Sequence, residues 1–296
     1  MHVIIIGSGP AGISAALYAR RGGADVTIVT KGVGTLAAAE WIENYYGFPE
    51  PITGAELEQR GIDGAKRLGV RFVWDEALEI RPSEDGAHFQ VQTVHGSYVA
   101  DGVVLAAGAQ RKKISLPGVQ EFEGRGVSYC AICDAFFYRG KKVAVVGAGE
   151  YALHEAQTLQ PHVASLSLLT NGQEPAVMVP DCIAVNTRRI GSLEGDRRLR
   201  QIVFSDDTRM DVDGIFVAIG TAGSMELARK LGILLHDGRI AVGDHMETNV
   251  PGVYAAGDCA GGLLQVAKAV YEGAEAGLSV VRYLRRQSPK NTVEKI

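Results

Sequence analysis

His2-Val3-Ile4-Ile5-Ile6-Gly7-Ser8-Gly9-Pro10-Ala11-Gly12 decides the fold. A β-branched run leads into three glycines, and Ile13 to Arg21 then carries apolar residues at helical spacing. Gly22-Gly23 ends that helix, and Val26 to Val29 reads as the next strand. Strand, glycine turn, helix and strand in this order form the context that a dinucleotide fingerprint requires. In such a turn Gly7 permits the tight bend, Gly9 lets a pyrophosphate reach the backbone, and Gly12 lets helix and strand pack closely. Pro10 and Ala11 begin the helix, whose free N–H groups face the phosphate. Because the apolar run passes straight into glycines, it reads as a buried strand and not as a signal peptide.

The same unit recurs at Lys142 to Val146, with Gly147-Ala148-Gly149-Glu150-Tyr151-Ala152 as its turn. A helix to about Leu159 and a strand from Leu166 to Leu169 complete it. A second echo links Asp101-Gly102-Val103-Val104-Leu105-Ala106-Ala107-Gly108 with Asp213-Gly214-Ile215-Phe216-Val217-Ala218-Ile219-Gly220. Both halves therefore read as one βαβ-plus-meander unit. The expected fold class is α/β, with two Rossmann-like three-layer (ββα) nucleotide-binding domains, the second inserted into the first. Gln110-Arg111-Lys112-Lys113, ahead of Leu116-Pro117-Gly118, marks the crossing, and the return is placed near Ala241-Val242-Gly243. The expected domains are thus 1–112 with 243–296, and 113–242. A helical stretch from Leu264 to Leu284 and a polar tail from Arg285 to Ile296 follow.

A chain of 296 residues suits two domains with an ample core. Its 37 glycines and 46% hydrophobic content fit an α/β protein with many tight turns. A net charge of −4, with Lys and Arg dispersed, offers no footprint for nucleic acid. No apolar run reaches the ~18 residues of a membrane span, so a soluble, cytoplasmic protein is expected. Four cysteines are too few for a disulfide scaffold. Cys182 and Cys259 stand alone and are expected to be small buried hydrophobes. With no second cysteine pair at zinc spacing, no metal is expected.

Tyr129-Cys130-Ala131-Ile132-Cys133-Asp134 lies just before the second fingerprint. Two cysteines three apart at a helix start face one side and share its dipole, which favours a reversible disulfide. Asp134 can relay a proton to the leaving thiolate; the plainer reading is a carboxylate that complements the helix dipole. A dithiol between two dinucleotide turns suggests electron traffic between a flavin and a disulfide. Thr30-Lys31 closes the second strand, where an acidic residue often binds ribose, so hydroxyl and backbone groups must substitute. Gly257-Asp258 reads as a second flavin anchor, with the carboxylate on a ribityl hydroxyl; a simple helix N-cap is the alternative.

The chain resembles the low-molecular-weight flavoprotein thioredoxin reductases over nearly its whole length. The matching pieces are residues 7–12, Glu43-Asn44-Tyr45-Tyr46-Gly47-Phe48-Pro49, Ala107-Gly108-Ala109, residues 130–134, Phe136-Phe137-Tyr138 and Ala256-Gly257-Asp258. The resemblance implies a homodimer, FAD in the discontinuous domain, the dithiol in the inserted one, and a domain rotation that shows the dithiol alternately to flavin and to thioredoxin. It makes Cys133 the sulfur that attacks the flavin, Cys130 the one that attacks thioredoxin, and Asp134 the acid–base residue. It also sets Asn44 on the FAD, together with Gly34, Thr35, Ala77, Ala107, Gly108, Gln265 and Val266.

Departures from that family bear on the electron donor. NADPH-dependent members carry a His-Arg-Arg motif and a further Arg after the second βαβ unit, where this chain has Leu168-Leu169-Thr170-Asn171-Gly172-Gln173-Glu174. Glu150 brings a carboxylate and Tyr151 brings bulk to the phosphate position, so the second site reads as closed to NAD(P)H. Leu264-Gln265 stands for an Arg-Gln pair, and Gly34-Thr35 for a Gly-Gln. This pattern, with Glu150-Tyr151-Ala152-Leu153-His154-Glu155, resembles the ferredoxin-dependent flavin thioredoxin reductases. The favoured expectation is an FAD enzyme that takes electrons from ferredoxin, or flavodoxin, and reduces thioredoxin. Arg111-Lys112-Lys113, Arg139-Lys141-Lys142 and Arg188-Arg189 with Arg197-Arg198-Arg200 are candidate landing areas for an acidic donor. An NADPH-dependent thioredoxin-disulfide reductase is the second reading, and a flavin-binding redox sensor or scaffold is the third.

Overall fold

In the computed structural model, which describes residues 1–32, 34–84, 86–108, 116–220 and 223–287, each glycine turn follows the central strand of a five-stranded parallel sheet. The first sheet runs Val253–Ala255, Gly102–Leu105, His2–Ile6, Asp25–Thr30, Arg71–Trp74. The second runs Val127–Ser128, Gly214–Val217, Lys142–Val146, Ser165–Leu169, Ala184–Asn186. The two orders correspond strand for strand. The echo between residues 101–108 and 213–220 becomes, in each sheet, the strand beside the central one. Each half also carries a three-stranded antiparallel sheet, Ala77–Pro82 with Phe89–Thr93 and Ser97–Ala100, and Ile190–Gly195 with Leu199–Phe204 and Arg209–Asp211.

These strands form where they do because parallel sheets are covered on both faces and so need unbroken apolar runs. Val3 to Ile6 and Val143 to Val146 are all buried. In the first half the helix Pro10–Arg21 starts on a proline, whose missing N–H costs nothing there, and ends on Arg20 and Arg21, which suit the negative end of the helix. The long helix Val266–Gln287 lies directly against it. A Cβ added at Gly273 or Gly277 would come 2.1 Å from the Ala11 carbonyl oxygen or 2.4 Å from that of Ala15. Only glycine permits that approach.

The chain divides into two compact units, Met1–Ala109 with Gly223–Ile296, and Gln110–Ala222. The return thus comes at Gly223 and not near 243. The cause is the helix Ser224–Lys230, whose Lys230 Nζ donates to the Leu78 carbonyl at 2.9 Å and whose Ser224 Oγ accepts from the Ala107 N–H at 2.9 Å. The expected linker Gln110 to Lys113 lies outside the described residues, as does the tail beyond Gln287. Among the described residues no helix is long and apolar enough to cross a membrane, and no cluster of three or more His, Cys, Asp or Glu side chains could hold a metal ion.

Asp101 ties the first strand to the meander. Its carboxylate accepts from the His2 N–H at 2.7 Å and meets His88 Nδ1 at 2.8 Å, with the terminal ammonium 3.7 Å away. Burial works against the charged form, but those hydrogen bonds and charges prevail and hold the carboxyl below the usual Asp range. A depressed folded-state pKa stabilises the fold fully above the unfolded value, and that contribution disappears as pH falls through the folded value. Asp101→Asn is therefore expected to lower the thermal midpoint at pH 7 by a few degrees, and the gap from wild type should close as pH falls through the depressed folded value. Paired melting curves across that range are the check.

Candidate active site: a dinucleotide cradle and a dithiol helix

The first glycine turn has the three properties that a dinucleotide cradle needs. Gly7 adopts φ +107°, with the Ala106 carbonyl 2.6 Å from where a Cβ would stand. At Gly12 a Cβ would fall 2.0 Å from the Gly7 carbonyl oxygen, so the helix seats tightly on the turn. At Gly9, the N-cap of the helix, an added Cβ meets nothing within 4 Å. That opening at a helix N-terminus is where a pyrophosphate fits.

Of the residues expected from sequence, some abut this turn and others pair among themselves or with buried carboxylates. The Gly7 turn abuts Ala106 and Ala107, Gly108 follows at φ +71°, and a Cβ on Gly257 would lie 2.9 Å from that of Ala11. Asn44 Nδ2 donates to Gln265 Oε1 at 3.0 Å, joining two residues 221 positions apart just ahead of Val266. Asp258 opens a short 3₁₀ turn, and its carboxylate takes no partner among the described residues. The Thr30 hydroxyl is engaged with Ser8 Oγ at 2.9 Å and the Gly32 carbonyl at 3.1 Å. Lys31 pairs with the buried Glu76 at 2.5 Å, immediately before the buried Ala77. Gly34 donates its N–H to the buried Glu58 at 2.9 Å, and Thr35 starts the next 3₁₀ turn. An open phosphate position and an unpaired carboxylate two strands away suit FAD.

Several participants escaped the sequence reading. Glu58 and Glu76 are buried carboxylates that no local pattern distinguishes from surface ones. Lys268 and Glu272, an i,i+4 pair 2.8 Å apart, grip both sides of Gly257. Glu272 accepts from the Gly257 N–H at 2.8 Å, and Lys268 donates to its carbonyl at 3.0 Å and to that of Gly261. Their spacing was a visible signal. Cys259 is buried as expected, and burial pushes its thiol up to about 11. Cys182, in contrast, is exposed, because it falls in the irregular stretch ahead of the strand Ala184–Asn186.

In the second unit Cys130 and Cys133 are joined in a disulfide that spans the first turn of the helix Ala131–Asp134, with Cα atoms 5.3 Å apart. Cys130 is buried and Cys133 exposed. The Cys133 N–H points at Cys130 Sγ, 3.3 Å away, as a thiolate there would require. Ser128 Oγ accepts from the Cys130 N–H at 3.2 Å and donates to Asp134 Oδ2 at 2.7 Å, which fixes the carboxylate beside the dithiol. Tyr138 follows on the next turn, its phenol pushed up by burial and by the charge of Asp134. Phe136 and Phe137 are exposed, Arg139 covers the Phe136 ring at 5.2 Å, and Lys141 covers Tyr138 at 5.4 Å. The Arg139-Lys141-Lys142 cluster thus borders the dithiol segment, whereas Arg188 is engaged with Phe204 and Thr208. Arg111-Lys112-Lys113 lies outside the described residues.

The second glycine turn keeps the backbone of a cradle but not its chemistry. Gly147 is again at positive φ, and Gly149 is again open. Glu150, half-buried, takes the first helical position. The Ala176 N–H donates to the Ala148 carbonyl at 2.7 Å, laying the following segment on the turn. At the strand end Thr170 donates to the Gln173 carbonyl and Asn171 accepts from the Ile190 N–H at 2.8 Å, so both polar side chains are spent internally. Tyr151 does not fill the phosphate position. Its ring is packed inside the unit, and its hydroxyl reaches the Tyr129 carbonyl at 3.5 Å. The expected bulk goes toward the dithiol segment because the second helical position faces inward.

A cradle open to a dinucleotide in one domain and a CxxC disulfide in its structural repeat define a disulfide oxidoreductase. The pattern of one such family matches residues 1–273, and the chain belongs to it: the pyridine nucleotide-disulphide oxidoreductases. The thioredoxin reductase of Bacillus subtilis is 34% identical over 95% of this chain and 94% of its own length. Among solved structures, the atypical thioredoxin reductase TRi from Desulfovibrio vulgaris Hildenborough is 37% identical, with a TM-score of 0.91 over 97% of this chain and 99% of that one. A ferredoxin-flavin thioredoxin reductase from Clostridium acetobutylicum is 31% identical, with a TM-score of 0.71 over 96% and 98%.

Proposed function

We propose that this chain is an FAD-dependent thioredoxin reductase fed by reduced ferredoxin or flavodoxin and not by a nicotinamide. The observation that carries the choice of donor is Glu150. Its carboxylate stands at the helix start where a pyrophosphate would need an unopposed positive end. Two like charges ~4 Å apart repel by on the order of several kcal/mol at a surface-like effective dielectric. Near the end of the strand Ser165–Leu169, Arg188 stacks on Phe204 and bonds Thr208, and the Arg189 side chain lies against Gly172. The relative named for ferredoxin and flavin lends weight to the same choice.

Gly7, Gly9, Pro10, Ala11, Gly12, Asn44, Asp258, Gln265 and Val266 would hold the FAD. When bound, it supplies the means of collecting electrons singly and delivering them as a pair. Opening the Cys130–Cys133 bond takes two electrons and two protons, and Asp134, oriented by Ser128, is the group placed to carry a proton to a sulfur. Thiol–disulfide exchange then passes both electrons and both protons to the thioredoxin disulfide and re-forms Cys130–Cys133. The family resemblance adds a homodimer working in the cytoplasm.

A second reading, an NADPH-dependent thioredoxin-disulfide reductase, is favoured by Gly149, which is as open as Gly9. Anaerobic mixing of the yellow protein with NADPH, NADH or reduced ferredoxin separates the two, with insulin-coupled thioredoxin reduction as the readout. Bleaching and turnover are expected with ferredoxin alone. Rapid bleaching by micromolar nicotinamide would transfer the assignment to the second reading.

A further inference from the structure

The helix Glu150–Leu159, which in a nucleotide-binding domain would serve the phosphate, is turned in this unit to the service of the dithiol. Glu155 is buried, and its Oε2 accepts the Ala131 N–H at 2.7 Å, one residue from Cys130. One turn earlier, Tyr151 reaches the Tyr129 carbonyl on the other side of the same cysteine. Of the backbone N–H groups that open the helix Ala131–Asp134, that of Cys133 is directed at the Cys130 sulfur and that of Ala131 is withdrawn to a carboxylate. The ionisable groups on the elements packed against this turn are Asp134 on the helix itself, Tyr138 on the following 3₁₀ turn, and Glu150, Tyr151, His154 and Glu155 on the helix behind.

We infer that Glu155 is a positioning residue of the redox centre: it anchors the Ala131 N–H and opposes negative charge on Cys130, so that the opened dithiol holds its protons and gives up its electrons readily. A thiolate flanked by a buried carboxylate is disfavoured. Removing that carboxylate stabilises the thiolate, hence the reduced form, and makes the pair a poorer reductant. The step concerned is loss of the Sγ–H proton of Cys130 to solvent, with no change in electron count.

The inference rests on the dithiol being the redox centre, but its test needs neither thioredoxin nor ferredoxin nor a nicotinamide. The FAD-loaded protein is reduced with dithiothreitol, the reductant is removed anaerobically, and iodoacetamide alkylation of Cys130 is followed by mass spectrometry from pH 5 to 10. In Glu155→Gln, which keeps the shape and an acceptor for Ala131, the midpoint is expected to fall by about one pH unit. At a pH above both midpoints, the dithiol–disulfide equilibrium against a glutathione buffer should shift toward the dithiol by about tenfold in the same variant. An unchanged midpoint and equilibrium in a Gln variant that retains its flavin absorbance and melting temperature overturn the inference. So does a shift seen in Glu155→Ala but absent in Glu155→Gln, which leaves only the hydrogen bond. Should the thioredoxin assay fail while the Gln midpoint still falls, the functional reading is at fault and the role of Glu155 stands.

Discussion

Cys133→Ser is expected to lower thioredoxin reduction by at least about a thousandfold while leaving the protein yellow and its melting temperature nearly unchanged. The exposed Cys133 sulfur is half of the bond that must open, and a hydroxyl cannot take its place in thiol–disulfide exchange. Because both sulfurs act as one unit, Cys130→Ser and the double variant should be no worse than the single one. Insulin-coupled turnover, with flavin absorbance as the control, reads the result. Activity within tenfold of wild type would remove the dithiol from the reaction and leave the chain a flavin-binding sensor or scaffold.

The second large effect distinguishes two glycines of the first turn. Gly12→Val drives a side chain into the Gly7 carbonyl, 2.0 Å from the new Cβ, and backbone cannot yield as a flexible side chain can. Loss of several kcal/mol, enough to prevent accumulation of folded protein, is expected. Gly9→Val meets no protein atom within 4 Å and sits at φ −70°, which any residue adopts. That variant should fold with a melting temperature close to wild type yet be purified colourless, because its methyl groups occupy the phosphate position. Gly149→Val, the equivalent change in the second turn, should alter neither colour nor ferredoxin-driven turnover. A yellow Gly9→Val protein would contradict the assignment of the first turn as the cofactor cradle.

The glycine turns and the duplication were legible because each shows in spacing and local likeness. Gly7, Gly9 and Gly12 reveal a turn by their intervals, and residues 101–108 and 213–220 reveal a repeat by their likeness. What escaped depends on burial, which a single sequence does not display. Glu58, Glu76 and Glu155 look like any surface glutamate until folding encloses them. The return to the first domain was misplaced because the helix Ser224–Lys230 has no compositional border. Its allegiance is set by the distant partners Ala107 and Leu78. Tyr151 was given the wrong task for a related reason: a residue's place in a motif does not state which way its ring turns. Asn44 and Gln265 came from family likeness, and nothing local to either residue announced their pairing.

The sequestration of Cys259 has a practical corollary for anyone labelling this protein. Its sulfur donates to the Leu105 and Ala256 carbonyls inside a sealed core, and its high proton affinity leaves almost no nucleophile at neutral pH. Ellman-type counts on the native, reduced polypeptide are therefore expected to register the exposed Cys182 and Cys133 first, and Cys259 only when the core is opened by denaturant. Mutating Cys182 alone yields a background against which the sulfhydryls titrated in the native protein come from the Cys130–Cys133 pair.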